Sequence, residues 1–260
     1  MSAVSAPPVG HAPKVSALTW LNIFTRTLAI QGSWNYETLI GNGIGFCVEP
    51  ALRQLPGGVQ TAAFKAAMAR ESAYFNAHPY LASVAVGALA RAELSGVPAL
   101  HIERFRTALC GPLGSVGDRL VWAGWLPFCS LLGLLCFGLG AGPATTLVTF
   151  FVLYNAGHLA LRAWGLHVGW TRGLGVASAL ANPILRQGPT YVARAAAATA
   201  GVAVPLTAAR LLGHHVALLG VVLGAAALAA VILVRLHSRF EGYKVALVLI
   251  ALFALVSVAR

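Results

Sequence analysis

The chain has 260 residues, of which 58% are hydrophobic and only 10% charged. A soluble domain carries roughly 25% charged residues, so a mean hydropathy of +0.77 excludes both a water-soluble globule and a disordered chain. The net charge of +11, from 18 Lys and Arg against 7 Asp and Glu, then marks the basic flanks of membrane spans. It does not mark a nucleic-acid surface, because no basic–aromatic stripe and no reader motif accompany it. The composition describes an all-α integral membrane protein.

Residues 1–17 are rich in Pro, Ala and Ser and hold no apolar core of a signal peptide, which predicts a disordered cytoplasmic tail. Residues 18–119 contain apolar helical segments but no clean span. In 18–31, Leu18, Leu21, Phe24 and Leu28 share one helical face; in 60–77, Phe64, Met68 and Phe75 repeat the pattern before Pro79. Such helices lie in the membrane interface or dock on partner helices. The stretch 80–95 is shorter than the roughly 20 residues a span needs, and it contains Arg91. It reads as a re-entrant hairpin arm, enclosed by protein or lining a watery cavity.

Residues 120–260 form the transmembrane part. The run between Arg119 and Arg162 holds 42 residues, about twice a span, and Gly140-Ala141-Gly142-Pro143 breaks it in the middle. Helices are therefore expected at about 120–140 and 143–163. A third is expected from Tyr191 to Leu212 with a kink at Pro205, a fourth from His215 to Val234, and a fifth from Val245 onward: about five spans in all. Arg104, Arg106 and Arg119 precede the first span; Arg162, Arg172 and Arg186 follow the second; Arg235, Arg239 and Lys244 follow the fourth. The basic side is cytoplasmic, which puts the N-terminus inside and Arg260 outside.

Cys47, Cys110, Cys129 and Cys136 form no CxxC pair and no Cys/His ligand spacing, so no metal, disulfide or cofactor site is implied. Three polar clusters carry the chemistry. Asp118 is the one aspartate; it closes a Gly-rich segment, Cys110 to Gly117, that reads as a turn opening into the first span. Either it caps that helix or it acts on a substrate or gate. Gln31-Gly32-Ser33-Trp34-Asn35-Tyr36-Glu37 concentrates amide, aromatic and carboxylate groups. Amides and carboxylates read hydroxyls and an indole covers the apolar face of a pyranose, while an interfacial aromatic belt is the alternative. Phe75-Asn76-Ala77-His78-Pro79-Tyr80 ends a helix, and His78 serves there either as a structural cap or as a ligand-binding group.

These motifs, in this order, resemble the IID membrane subunit of the mannose/fructose/sorbose-type phosphotransferase system. The resemblance covers about residues 18–175 and rests on Gln31–Glu37, Phe75–Tyr80, Gly111-Pro112-Leu113 through Gly117-Asp118, and Phe151–Asn155 followed by Arg162, Gly165 and Gly169. It implies a permease built with a IIC subunit as a trimer of heterodimers in the bacterial inner membrane. A hexose-type sugar would move by an elevator-like displacement and be phosphorylated by a cytoplasmic IIAB component. The phosphohistidines of such systems lie on IIA and IIB, so no phosphoryl carrier is expected among this chain's eight histidines. Carried over residue by residue, the resemblance makes Gln31, Asn35, Glu37, Asn76, His78 and Asp118 the residues that line or gate the sugar path; polar groups at membrane depth are functional by default.

The sequence departs from the family pattern at Arg119, which is expected to pair with Asp118, at His158, and at the short turn Gly213-His214-His215. These departures keep a second reading open: a IID-like assembly or regulatory membrane protein that no longer transports sugar. A membrane-embedded enzyme is the third, and neither HExxH nor GxSxG is present to support it.

Overall fold

The computed structural model describes residues 14–176 and 182–213, with isolated positions between 220 and 231. The start of the N-terminal tail, most of the span expected at 215–234 and the span expected from 245 lie outside the described residues. The described chain is helical throughout, with two isolated β-bridges. Its elements are α1 (Ala17–Thr27), α2 (Gly41–Leu52), α3 (Ala62–Glu71), α4 (Ala82–Leu94), α5 (Ala99–Gly117), a π-helical segment Asp118–Trp125, α6 (Leu126–Gly138), α7 (Pro143–Arg172) and α8 (Pro183–Leu212). Short 3-10 turns occupy Gly58–Gln60 and Gly173–Val176.

Among the described residues, three helices are long and apolar enough to cross a membrane: Ala99–Gly138, Pro143–Val176 and Leu185–Leu212. The first corrects the expected helix at 120–140. No turn exists at Cys110–Gly117; Gly111, Pro112, Gly114 and Gly117 all lie inside α5, and the helix continues through residue 119 without a break. Tertiary packing overrides the local Gly/Pro signal here, because Gly117 presses against His78, where an added Cβ would lie 2.2 Å from the histidine Cβ. The second helix runs past 163 to Arg172, and the third begins at Pro183 with both Pro189 and Pro205 inside it. The turn at 140–143 forms as expected: Gly140 takes φ +107° and Pro143 opens α7.

The spans form an antiparallel bundle. Gly133 of α6 sits against the Thr146 carbonyl of α7, while Gly124 meets Val192 and Gly138 meets Leu206 of α8. The first and third spans are therefore parallel, and Arg119, Arg172 and Arg186 share one end. At the other end Arg210 donates to the carbonyls of Phe137 and Ala141, closing the 139–142 turn.

The stretch expected as a re-entrant arm is α4, a 13-residue helix in which every residue from Ala82 to Glu93 is buried. It packs most heavily on α7, and also on α2 and α5. Close approach explains the glycines at this contact: a Cβ on Gly169 would lie 2.0 Å from the Val84 carbonyl oxygen, and one on Gly87 2.3 Å from that of Leu166. Arg91 is not stranded, because it donates to the Trp170 and Thr171 carbonyls at the end of α7.

The amphipathic segments are shorter than their periodicity suggests. α1, capped by Ser16, ends at Thr27, and its Leu18 and Leu21 face outward while Ile23 and Thr27 are buried. α3, capped by Thr61, stops at Glu71 because the chain turns to pair Phe75 with Leu39 and Thr38. Buried ion pairs close this region: Arg106 donates to Glu71 at 2.5 Å and Arg70 grips both oxygens of Glu93 at 2.8 Å. Burial pushes the Glu71 carboxyl above the usual range against the pull of Arg106.

Candidate functional site

The Gln31–Glu37 cluster is a turn organised by Asn35. Its Oδ1 accepts from the backbone N–H of Glu37 and Thr38, each at 2.9 Å, and its Nδ2 donates to the Ser33 carbonyl and the Thr38 hydroxyl. This is the Asx-turn chemistry of a short amide side chain. Asn35 and Leu39 then bridge through their backbones, and Leu39 adopts φ +51°. Gln31 and Glu37 project outward, as do Trp34 and Tyr36, whose rings meet edge-on at 4.8 Å.

The turn is stitched to the second cluster. Ile40 N–H donates to the Phe75 carbonyl at 3.2 Å, and Phe75 N–H to the Thr38 carbonyl at 3.1 Å. Asn76 follows directly and is exposed, whereas His78 is 1% exposed. Tyr80 N–H donates to His78 Nδ1 at 3.2 Å, which puts the imidazole proton on Nε2. Nε2 has no partner among the described residues. Burial, aided by the positive Arg162, holds the His78 pKa down at about 4, so the ring is neutral at pH 7.

The third cluster arrives from α5. Gly117 lies on His78, and Gly114 approaches Ala77. Asp118, next along the helix, has helical dihedrals and is exposed. It caps no helix start, which sets aside the capping role, and Arg119 does not pair with it. Instead Arg119 Nε donates to the Ser115 carbonyl at 3.1 Å, one turn back. Residues 75–78 thus lie between the Gln31–Glu37 turn and the helix at 114–118. Three motifs far apart in sequence meet along one seam.

Beside the seam stands an aromatic and basic cluster whose members sequence reasoning did not place among the candidate site residues. The Tyr80 hydroxyl hydrogen-bonds that of Tyr154 at 2.6 Å. The Tyr80 ring stacks on His158 at 5.0 Å and lies 5.8 Å from Trp122, which also touches His78 at 4.9 Å. His158 Nε2 meets Asn155 Oδ1 at 2.9 Å. Arg162, 3% exposed, donates to the carbonyls of Thr27 and Pro79 and lies over the Tyr80 ring. The usable signal was spacing: Tyr154, His158 and Arg162 recur every four residues and so share one face of α7.

The sequence matches a known family. The model of the mannose/fructose/sorbose family IID component of the phosphotransferase system matches residues 14–258. The chain belongs to that family. It is 30% identical over 173 residues to the mannose-specific EIID component of Escherichia coli K12, covering 64% of this chain and 59% of that protein. With the sorbose-specific EIID component of Klebsiella pneumoniae it shares 31% over 185 residues, 67% of this chain and 64% of the relative. The match with each of these IID components spans less than two thirds of the relative's own length. Among solved structures, the mannose transporter ManYZ in complex with microcin E492 is similar with a TM-score of 0.56 and 27% identity over 72% of this chain and 69% of that one. A second membrane protein gives 0.64 and 25%, over 73% and 70%. A IID component is an inner-membrane protein, and the three long apolar helices fit that setting.

Proposed function

We propose that this IID component forms the sugar path of a phosphotransferase permease together with a IIC subunit, in a trimer of heterodimers, with a cytoplasmic IIAB component phosphorylating the sugar. The convergence of Gln31–Glu37, Asn76–His78 and Asp118 along residues 75–78 carries this reading. Gln31, Glu37, Asn76 and Asp118 offer outward amide and carboxylate groups for sugar hydroxyls, Asn35 holds the turn that presents Gln31 and Glu37, and His78 is buried in the seam beside Gly117. The sugar class is a hexose. The chain divides into a tail ahead of α1, a polar docking part through α4 and a spanning part that begins within the Ala99–Gly138 helix. The end bearing Arg119, Arg172 and Arg186 is cytoplasmic, as is the N-terminus.

The test is uptake by the complex formed on co-expression with IIC and IIAB subunits. Glu37→Ala and Asn76→Ala each remove hydrogen bonds worth about 1–3 kcal/mol, so affinity falls roughly ten- to hundredfold while co-purification is unchanged. Asn35 favours the second reading, an assembly protein without transport, because all its polar atoms are spent on its own turn. An assembled wild-type complex without uptake decides for that reading, whereas wild-type uptake in both variants removes Glu37 and Asn76 from the path.

A further inference from the structure

The π segment, α7 and α8 enclose a partly open cavity of about 490 Å³. Its wall is apolar: Leu120, Val121, Trp125, Trp164, Leu185 and Val192 supply most of it. Of the polar groups in its lining, the Tyr80 hydroxyl is held by Tyr154 and His158 Nε2 by Asn155, while the Trp125 indole N–H and His158 Nδ1 are buried without a hydrogen-bond partner among the described residues. A sugar, which needs a hydrogen-bond partner for each of its several hydroxyls, finds too few in so apolar a wall. A hydrocarbon chain fits.

Arg119 and Arg186 each adjoin a lining residue of this cavity, Leu120 and Leu185. Gly188 lies against Leu120, 3.8 Å from its Cδ1 to an added Cβ, which brings the Arg119 and Arg186 ends of their helices together. Both arginines are exposed, and neither pairs with a carboxylate among the described residues. An apolar slot between spanning helices, with two exposed arginines adjoining its lining, is complementary to one amphiphile: a tail in the slot and a phosphate on the arginines. We propose that this cavity binds an acyl chain of an anionic phospholipid, with Arg119 and Arg186 holding its phosphate. The site is independent of the sugar-path reading and uses none of its residues for recognition.

The experiment uses the full chain, extracted in mild detergent and stripped of lipid, and titrated with phosphatidylglycerol or phosphatidylcholine carrying brominated acyl chains. Bromine quenches nearby indoles, and Trp125 and Trp164 line the cavity. Phosphatidylglycerol quenches at lower concentration than phosphatidylcholine. Arg119→Gln and Arg186→Gln each lose about fivefold of that preference, and the double variant loses both. Gly188→Leu fills the slot and abolishes quenching by either lipid, and the arginine variants, being at exposed positions, test the site even where this one misfolds. Equal binding of the two lipids by the wild type, or preference unchanged in the double arginine variant, overturns the proposal. Displacement of the lipid by inorganic phosphate alone overturns its acyl half. Release of a co-purifying subunit by Gly188→Leu, with lipid quenching intact, shows a helix socket instead.

Discussion

The Arg162 guanidinium lies 4.5 Å over the Tyr80 ring, 82 positions earlier in the chain, and from there reaches the carbonyls that end α1 and precede Tyr80. A buried cation without a carboxylate partner among the described residues is held here by oxygen dipoles and a π face. Arg162→Met leaves the Thr27 and Pro79 carbonyls unpaired, at about 1–3 kcal/mol each. Thermal unfolding of the purified chain should show that loss. Arg162→Lys recovers part of it, since the ammonium reaches fewer acceptors in this geometry.

The Tyr80–Tyr154 hydrogen bond couples the 75–80 seam to the middle of α7. Tyr80→Phe and Tyr154→Phe should each cost about 1 kcal/mol, and the double variant should cost little more than either one. Additive losses in the double-mutant cycle would show that the two hydroxyls act independently.

His78 sets a pH limit. Its pKa is about 4 in the fold against 6.5 for a free imidazole, so the fold binds the neutral ring. The contribution to stability is complete above pH 6.5 and is lost progressively as pH falls towards 4, by roughly 3 kcal/mol in all. His78→Gln should flatten this part of the stability profile between pH 6.5 and 4. An unchanged profile in the variant would assign the acid sensitivity to another group.

The contact between α4 and α7 tolerates no side chain at Gly169. Gly169→Val forces a methyl-bearing carbon into the Val84 carbonyl and should cost about 3 kcal/mol or more, read as lost folded yield. Gly201 is the control: among the described residues nothing lies within 4 Å of an added Cβ, and the residue is exposed on α8. Gly201→Ala should raise stability by about 0.5–1 kcal/mol.

Composition was enough to recognise a helical membrane protein, because bilayer solvation leaves few alternatives. The 140–143 turn was legible because Gly and Pro there act alone. At 110–118 the same residue types sit inside a helix, because Gly117 serves the His78 contact, which local sequence cannot reveal. α2 was missed: its glycines weaken the helical pattern, yet Gly43 and Gly45 are there for close approach to Ile30 and Ser72. The site was legible as three separate clusters. Their meeting is not a matter of spacing, since Leu39 and Phe75 are joined by backbone bridges across 36 positions. Arg162 escaped because it was read as a loop charge marking the end of a span that in fact continues to Arg172.

Asp118 offers the sharpest separation of structure from transport. It is exposed on the π segment, caps no helix and makes no ion pair among the described residues. Asp118→Asn should therefore leave thermal stability within about 0.5 kcal/mol of wild type. Any effect on uptake then reports the carboxylate's dealings with something other than the fold. A carboxylate accepting from a sugar hydroxyl makes a charge-assisted bond, roughly twice as strong as a neutral one. Replacing it by an amide should raise the KM for uptake about tenfold, with the complex assembled and the chain fully folded. A stable, fully active Asp118→Asn complex would remove Asp118 from the path and leave recognition to Glu37 and Asn76 on the other side of the seam.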